Sequence, residues 1–435
     1  MSSPAQPRLL VYSQDGLGLG HLRRTTLLAT EFLATSPGAT ALTISDSPLG
    51  QFFSTDTGHD YLKLPSIRKA GPGDWRPVSL SMSFSEVLQL RREIIRSVVT
   101  SFQPDILLVD HMPHGAMGEL VPTLEALESS PVRVVLGLRD ILDAPSTVRQ
   151  RWRLEGAFEA VERHYHDVLV YGSEDVFDVA REYDWPGAAS SRLRYCGYVC
   201  SPIASTARAA EIRARHVGAP ATSDLVVAMA GGGADADGLF AALVEAVPAV
   251  LKERPCVFVV VTGPFLPADE RHKLLGLARD LPVHIITSVG DSLALLGAAD
   301  LVVAMAGYNT TAEILSLGKR ALLVPRAGPS AEQRIRASLF AERGWIGWLP
   351  PEALTATALA EAMLEQMNGT GPPHAVGSPD MGGRAAAVRQ LLEPTADTSG
   401  HGDSPSINVQ ADPASAATAP GTVPVASAQQ LVIGS

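Results

Sequence analysis

The 435-residue chain has few cysteines, few aromatic side chains and no long apolar run, and each shortage excludes a class of protein. Its cysteines (Cys196, Cys200 and Cys256) form no CxxC pair and no disulfide framework, which indicates a reducing compartment. No apolar run approaches the roughly 18 residues of a membrane-spanning helix. The short polar start, Met1–Pro7, lacks the pattern of a signal peptide. We therefore expect a cytoplasmic protein, and a peripheral contact with the inner membrane face stays open.

Charge and composition narrow the choice further. The formal net charge of −11 argues against a nucleic-acid-binding protein, because phosphate contacts need basic surface. The 435 residues are enough for two domains with ample core, and an apolar content of 46% is ordinary for a globular protein. Arginine greatly outnumbers lysine, as is typical of proteins from GC-rich bacteria. The sequence contains no P-loop, no serine nucleophile elbow and no HExxH motif.

Short apolar runs alternate with longer amphipathic segments, and the pattern occurs twice. We predict strands at 8–12, 39–44, 105–109, 132–138 and 168–171, and again at 224–229, 256–261, 283–286, 301–304 and 320–324. We predict helices at 21–34, 83–101, 117–127 and 147–163, and again at 237–251, 269–278, 292–298, 310–317 and 332–342. Such alternation indicates an α/β protein with parallel sheets covered on both faces. The expected fold is two Rossmann-like, doubly wound domains that face each other across a cleft.

The pattern restarts near residues 197–202, which predicts the domain boundary. We expect an N-terminal domain over 1–200 and a C-terminal domain over 201–380. A last helix within 381–394 would pack back on the body. Residues 395–435 are rich in Ala, Ser, Thr, Pro and Gly and are predicted to be disordered. Ligands of doubly wound sheets bind at the carboxyl ends of the strands, so we expect the site in the cleft.

The most informative motif is the turn between the strand predicted at 301–304 and the helix that follows it. It carries small, hydroxyl-bearing and acidic side chains, at Gly307, Asn309, Thr310, Thr311 and Glu313. Backbone N–H groups at a helix start, together with the helix dipole, form a site for phosphate. A nearby carboxylate can accept hydrogen bonds from ribose hydroxyls. The combination indicates a nucleotide.

Two further segments of the C-terminal half fit the same ligand. Gly231, Gly232 and Gly233 lie between the strand at 224–229 and a helix, where consecutive amides can hold a pyrophosphate. The segment after the strand at 320–324 could place Gln333 or Arg326 on the donor sugar or phosphate.

The first candidate site of the N-terminal half is a glycine-rich loop after the first strand. Gly16, Gly18 and Gly20 let the backbone approach a ligand, and His21 follows at the helix start. A dinucleotide fingerprint fails here, because His21 stands where the third glycine belongs. His21 is either a general base facing the cleft or a partly exposed histidine at a tight turn.

The second candidate is Asp110, which follows the strand predicted at 105–109. Its carboxylate could orient the imidazole of His21, or it could cap the next turn. His111 and His114 could bind a metal with Asp110, but their spacing is weak evidence for a metal site. Arg139, which ends another strand beside Asp140, is predicted on the acceptor side of the cleft, with a structural ion pair as the alternative.

These motifs, in this order, resemble those of the GT-B glycosyltransferases, and most of all the MurG-type UDP-N-acetylglucosaminyltransferases. The resemblance implies an N-terminal acceptor domain and a C-terminal donor domain. It also implies that His21 is the catalytic base, that Glu313 contacts the ribose and that Gly231–Gly233 bind the phosphates. Related small-molecule glycosyltransferases pair such a histidine with an aspartate, which Asp110 matches by position. Gln333 matches the donor-loop glutamines, although the family typically has two in succession.

The implied activity is inverting transfer of a sugar, UDP-linked and with N-acetylglucosamine as a candidate, to an acceptor hydroxyl. The acceptor is either a small molecule or lipid-linked. No metal or other cofactor is expected, since the nucleotide sugar is a substrate. Two alternatives stay open: a nucleotide-sugar 2-epimerase of the same fold, and a non-catalytic protein that binds sugar nucleotides.

Overall fold

Two parallel sheets, each flanked by helices, form the part of the chain that the structure describes. In this computed structural model, the described residues are 6–14, 20–48, 57–71, 74–202, 205–218, 222–369, 377 and 379–393. Gly16 and Gly18 of the first glycine-rich loop and the predicted tail at 395–435 lie outside these ranges.

The N-terminal half contains a seven-stranded parallel sheet and a separate antiparallel ribbon. Its strands are β1 (Arg8–Ser13), β2 (Thr40–Ser45), β3 (His59–Lys63), β4 (Ile67–Gly71), β5 (Asp74–Pro77), β6 (Ile106–Asp110), β7 (Arg133–Arg139), β8 (Asp167–Tyr171) and β9 (Leu193–Tyr195). The sheet order is β3-β2-β1-β6-β7-β8-β9, and β4 pairs with β5 in the ribbon. Its helices are α1 (Gly20–Thr35), α2 (Phe84–Phe102), α3 (Val121–Leu127), α4 (Pro145–Glu155), α5 (Ala157–His164), α6 (Val179–Tyr183) and α7 (Gly187–Ser190).

The C-terminal half repeats this plan with a six-stranded parallel sheet. Its strands are β10 (Asp224–Met229), β11 (Cys256–Val261), β12 (Val283–Ile286), β13 (Leu301–Ala304), β14 (Ala321–Leu323) and β15 (Gly347–Trp348), in the order β12-β11-β10-β13-β14-β15. Its helices are α8 (Thr206–Val217), α9 (Asp237–Glu253), α10 (Ala268–Leu277), α11 (Ser292–Ala298), α12 (Tyr308–Ser316), α13 (Glu332–Glu342), α14 (Ala356–Asn368) and α15 (Gly383–Leu392). No helix among the described residues is both long and apolar enough to cross a bilayer.

The order of the strands determines where ligands can bind. β1 pairs with β2 on one side and β6 on the other, and β10 is placed in the same way between β11 and β13. At β1 and at β10 the strand order changes direction, and such a switch point leaves a crevice at the carboxyl ends of the strands. Gly20 and His21, at the start of α1, follow β1 in the chain, and the triple-glycine turn follows β10, so these described residues lie at such a crevice.

The burial of each strand explains whether it could be predicted from the sequence. β6, β8 and β13 are buried along their whole length, as expected for parallel strands covered on both faces. β3, β4, β5, β9 and β15 were not predicted from the sequence. β3 lies at a sheet edge, is only partly buried and contains charged residues, so it lacks the apolar run that marks a central strand.

Backbone conformation corrects the extent of two predicted helices. The helix predicted at 147–163 is two helices, because Gly156 adopts a left-handed conformation (φ 66°) between them. The helix predicted at 117–127 begins only at Val121, because Met117 is left-handed as well (φ 51°). Residues with left-handed backbone end a helix whatever the apolar pattern around them.

The last described helix, α15, packs against α1 of the N-terminal half. Arg384 Nε lies 3.0 Å from Glu31 Oε2 of α1. Arg133 Nη1 donates to the carbonyl oxygens of Gln390 (2.7 Å) and Glu393 (2.6 Å) at the end of α15. The chain therefore leaves the second sheet and returns to the first.

Buried ion pairs join the two halves. Asp140, which follows β7, accepts hydrogen bonds from Arg336 of α13, at 2.9 Å from Nε and 2.6 Å from Nη2. Arg139 pairs with Glu332 of the same helix. Burial by itself would raise the pKa of Glu332, but Arg139 and Arg336 outweigh burial and lower it. Arg139 and Asp140 therefore pair with α13 across the crevice.

Removal of Arg336 should strongly destabilise the protein. The Arg336→Met variant leaves the carboxylate of Asp140 buried without its partner, which costs about 3–5 kcal/mol. Arg334→Met is the matched control on the same helix, because Arg334 forms an exposed pair with Glu352 whose loss costs at most about 1 kcal/mol. Urea unfolding measures both variants, and equal losses would contradict a structural role for the buried pair.

Candidate active site

His21 and Asp110 meet where β1 and β6 end. His21 is the second residue of α1, and Asp110 is the last residue of β6. The carboxyl ends of these paired parallel strands lie side by side, and His21 Nδ1 is 2.5 Å from Asp110 Oδ2. Asp110 is buried, whereas the His21 side chain is 20% exposed. The structure brings these two residues together, and their catalytic roles stay predictions.

Arg24, one turn further along α1, holds the carboxylate of Asp110. Its Nη2 donates to Oδ1 (2.9 Å) and Oδ2 (3.0 Å) and lies 3.1 Å from His21 Nδ1. Burial would raise the pKa of Asp110, but Arg24 and His21 outweigh burial and hold that pKa well below its ordinary range. An ionised carboxylate only accepts hydrogen bonds. Nδ1 of His21 therefore carries the hydrogen and donates the hydrogen bond to Asp110.

His111 lies beside the His21–Asp110 pair. Its ring centroid is 5.0 Å from that of His21, and its backbone is left-handed (φ 74°). Its Nδ1 is buried and forms no hydrogen bond within the described part of the chain. Burial, and then the charges of His21 and Arg139, lower the pKa of His111 well below its usual value. Burial also lowers the pKa of His114.

Among the described residues, no three histidine, cysteine or acidic side chains are placed to hold a metal ion together. The alternative of a metal site at Asp110, His111 and His114 therefore has no support from the described geometry.

The start of α12 lies against the start of α1. Asn309 Nδ2 donates to the carbonyl oxygen of Gly20 at 3.0 Å. Thr311 Oγ1 donates to the carbonyl oxygen of Gly307, the N-cap residue, at 2.8 Å, and Thr310 lies in the same turn. The first turn of α12 has no acidic residue and no side-chain cap. Its N–H groups and the positive end of its dipole are thus suited to an anion.

Glu313 lies on α12 and faces the N-terminal half. Its Oε1 accepts hydrogen bonds from Arg23 of α1 and from Ser201 Oγ, the latter at 3.2 Å. Arg23 Nη2 also donates to Ser292 Oγ at 3.2 Å. Burial raises the pKa of Glu313, although Arg23 and Ser201 act in the opposite direction. The predicted ribose contact is therefore buried and is paired with an arginine of the other half.

The triple-glycine turn packs tightly against the loop after β11. Gly231 (φ 59°) and Gly233 (φ 84°) have left-handed backbones, and the carbonyl oxygen of Gly232 accepts a hydrogen bond from Phe265 N at 2.9 Å. A Cβ atom at Gly233 would lie 1.8 Å from the carbonyl oxygen of Thr262. The turn lies at the carboxyl end of β10, beside β13, which leads to α12.

Gln333 lies in the first turn of α13 and supports the loop that follows β14. Its Oε1 accepts a hydrogen bond from Arg326 N at 3.1 Å, and the side chain is almost fully buried. Arg326 Nη1 donates to Asp235 Oδ2, close to the triple-glycine turn, at 3.2 Å. Arg326 thus links the two loops predicted to hold the donor.

Neither arginine of α1, Arg23 or Arg24, was predicted from the sequence to lie in the site. His21 and Arg24 are three residues apart, a spacing that places side chains on one helix face and could have indicated their contact. Arg23, on the neighbouring face, reaches Glu313 across the crevice. No local pattern predicts that contact, because its partner is 290 residues away in the sequence.

A buried polar network beneath the N-terminal side of the crevice was also missed. Arg91 of α2 donates to both carboxylate oxygens of Glu119, at 2.5 and 2.6 Å. Tyr12 Oη donates to Glu119 Oε1 at 2.6 Å, and Gln14 Nε2 donates to Asp46 Oδ2 at 2.8 Å. Because these residues come from four separate segments, only the tertiary structure reveals the network.

The two sheets, their strand orders and their facing crevices define the GT-B class of α/β proteins, and the predicted fold is confirmed. Solved structures of this class include MurG of Acinetobacter baumannii (TM-score 0.52, 15% identity, 83% of this chain and 91% of that chain covered). A putative UDP-N-acetylglucosamine 2-epimerase from Listeria monocytogenes is also similar (TM-score 0.59, 14% identity, 89% and 95% covered). Identities this low show the fold alone.

Residues 226–372 match the family model described as the Glycosyltransferase family 28 C-terminal domain. A relative from Exiguobacterium sp. (strain ATCC BAA-1283 / AT1b) is named UDP-N-acetylglucosamine--N-acetylmuramyl-(pentapeptide) pyrophosphoryl-undecaprenol N-acetylglucosamine transferase. It is 32% identical over 177 residues, which cover 39% of this chain and 46% of the relative. The match thus spans less than half of the relative's length. The resemblance to MurG-type GT-B glycosyltransferases is confirmed.

Substitution of Gly233 by alanine should disrupt the triple-glycine turn. The added Cβ atom meets the carbonyl oxygen of Thr262 in a left-handed backbone, so we expect a loss of more than about 2 kcal/mol in the free energy of unfolding. Gly238→Ala, at the start of α9, is the control, because no atom lies within 4 Å of its added Cβ. It should be neutral or stabilise by up to about 1 kcal/mol. Similar urea midpoints for the two variants would contradict the close packing.

Proposed function

We propose that this chain is a glycosyltransferase that moves a sugar from a nucleotide diphosphate sugar to an acceptor hydroxyl, with inversion at the anomeric carbon. The family 28 match over residues 226–372 supports sugar transfer. UDP-N-acetylglucosamine is the proposed donor and a lipid-linked sugar the proposed acceptor, because the Exiguobacterium relative has both in its name. The proposal assigns no role to a metal or other cofactor.

The observation that carries the proposal is the contact between the starts of α1 and α12. The hydrogen bond from Asn309 to the Gly20 carbonyl brings the His21–Asp110 pair next to the turn that precedes Glu313. A general base and a nucleotide site would then border one crevice, as sugar transfer requires. The two helix starts direct their positive dipole ends into that crevice, which favours the diphosphate of a donor.

In the proposed mechanism, His21 Nε2 takes the proton of the acceptor hydroxyl as the acceptor oxygen attacks the anomeric carbon. The bond from that carbon to the diphosphate oxygen breaks, and its electron pair stays on the leaving nucleotide diphosphate. Asp110 orients the imidazole and stabilises its protonated form, and such a positioned base contributes about 10²–10⁴-fold to the rate. N–H groups of the α12 start and of the triple-glycine turn would stabilise the charge on the leaving group.

Donor binding would require Glu313 to exchange partners. Its carboxylate, which is paired with Arg23 and Ser201, would accept hydrogen bonds from the ribose hydroxyls instead. Arg23 would then be released beside the diphosphate, where its positive charge is favourable. We also propose that Gln333, Arg326 and Asn309 contact the donor.

Exposed apolar side chains on the N-terminal half support a lipid-linked acceptor. Val78, Leu80 and Met82 are exposed in the segment between the ribbon and α2, and Met117 is exposed near the end of β6. Trp75 and Phe84, which flank this segment, pack on the small cluster that contains Ala116, next to Met117. Apolar side chains grouped on a surface favour contact with an apolar partner. We therefore propose a cytoplasmic enzyme that works at the inner membrane face.

Replacement of His21 by alanine should strongly reduce transfer and leave donor binding largely intact. We expect the rate of sugar transfer from UDP-N-acetylglucosamine to fall about 10²–10⁴-fold, because the general base is lost. The thermal stabilisation by UDP should match that of the unmodified protein, since His21 is not assigned to the nucleotide. Transfer is measured with muramyl-(pentapeptide) pyrophosphoryl-undecaprenol and with a panel of small-molecule alcohols.

The matched control is His272→Ala, because His272 is exposed on α10 in the other half. This variant should keep both activity and binding. Equal loss of transfer and of UDP binding in His21→Ala would reject the role of His21 as the base.

A nucleotide-sugar 2-epimerase is the second candidate, because a structure with that name shares this fold and the fold alone does not separate the two activities. Incubation with UDP-N-acetylglucosamine and no acceptor distinguishes the two functions. Formation of the 2-epimer would reject the transferase, whereas UDP stabilisation without epimerisation or transfer on any acceptor would favour a non-catalytic sugar-nucleotide-binding protein.

A further inference from the structure

Arg24 lies between the two halves and contacts the candidate catalytic pair. Its guanidinium is buried, with only 2% of the side chain exposed. Nη2 donates to both carboxylate oxygens of Asp110 and lies 3.1 Å from His21 Nδ1. A buried cation is stable only when it is paired, and Asp110 provides the negative charge. His21, Asp110 and Arg24 thus form one charge-coupled group.

The same guanidinium is held between two tyrosine rings, one from each half. The centre of the guanidinium lies 5.4 Å from the ring of Tyr171, at the end of β8, and 5.3 Å from the ring of Tyr308, the first residue of α12. Tyr308 is itself fixed, because its hydroxyl oxygen accepts a hydrogen bond from Val199 N at 2.9 Å. A planar guanidinium can stack on aromatic faces and donate in its own plane, which the ammonium of lysine cannot do.

These contacts connect the start of α12 to the imidazole of His21. A displacement of Tyr308 moves a ring that lies on Arg24, and Arg24 sets the position of Asp110, the hydrogen-bond partner of His21. Tyr308 directly precedes Asn309 and the N–H groups proposed to bind the donor diphosphate. An occupied donor site would therefore keep Tyr308, and through it Arg24 and Asp110, in one arrangement.

We propose that Arg24 is a positioning residue that holds the His21–Asp110 pair in its catalytic arrangement and couples it, through Tyr308, to the donor half. The effect of Arg24 on catalysis rests on the proposed function. Arg24 acts through Asp110 and touches no reacting atom. Its removal should therefore lower the turnover number more than it weakens donor binding.

The first test compares Arg24→Lys and Arg24→Met with Arg334→Lys, an exposed arginine on α13. We expect Arg24→Lys to lower kcat about 10–100-fold, because a small misplacement of catalytic groups has an effect of this size. The KM for the donor should change less than about threefold, Arg24→Met should be more strongly impaired, and Arg334→Lys should be unaffected. An unchanged kcat in Arg24→Lys, or a loss that lies wholly in KM, would overturn the proposal.

The second test needs no transferase activity. The Nδ1 proton that His21 donates to Asp110 should give a downfield imidazole resonance in the NMR spectrum, assigned by its loss in His21→Ala. It should be lost or displaced in Arg24→Lys and in Tyr308→Leu, whereas Tyr308→Phe, which keeps the ring and loses only the hydroxyl that accepts from Val199 N, should displace it less. An unchanged resonance in Arg24→Lys refutes the positioning role. Because this signal is read on the protein alone, it decides the question even if the chain transfers no sugar.

Discussion

The structure depends on the close approach of two helix starts, that of α1 after the first sheet's β1 and that of α12 after the second sheet's β13. Both present the positive end of a helix dipole, and α1 adds Arg23 and Arg24 at the same place. Two helix N-termini and two arginines at one crevice need negatively charged groups nearby to offset their positive charge. Glu313 and Asp110 provide them within the protein, and a diphosphate would add to them in the proposed complex.

The buried carboxylates have different surroundings, and this difference separates their chemistry. Asp110 is held by an arginine with hydrogen bonds to both oxygens, which keeps its pKa low and the carboxylate ionised. Burial dominates at Glu313, and the pKa is raised although Arg23 is adjacent. One carboxylate is therefore firmly ionised and suited to orient an imidazole. Glu313, whose pKa burial raises, takes up a proton more readily than an exposed glutamate does.

Sequence reasoning succeeded where the information is local. The strand predicted at 224–229 coincides with β10, because a buried parallel strand is a continuous apolar run. The positions of His21 and Asp110 at the same edge of the sheet follow from the parallel arrangement, whereas the pairing of β1 with β6 makes them neighbours. Edge strands such as β3 were missed since solvent covers part of them and their sequence is polar. The break at Gly156 was missed because the apolar pattern continues through it.

The sequence by itself determined the α/β class, the two sets of strands and the residues that follow them, because apolar runs and glycine-rich turns are local signals. Only the tertiary structure decided which charges meet. Arg23 reaches Glu313, Arg336 reaches Asp140 and Arg24 lies over the ring of Tyr308, each pair more than 190 residues apart in the chain. Any arginine can pair with any carboxylate, so the choice of partner depends on how the two halves pack.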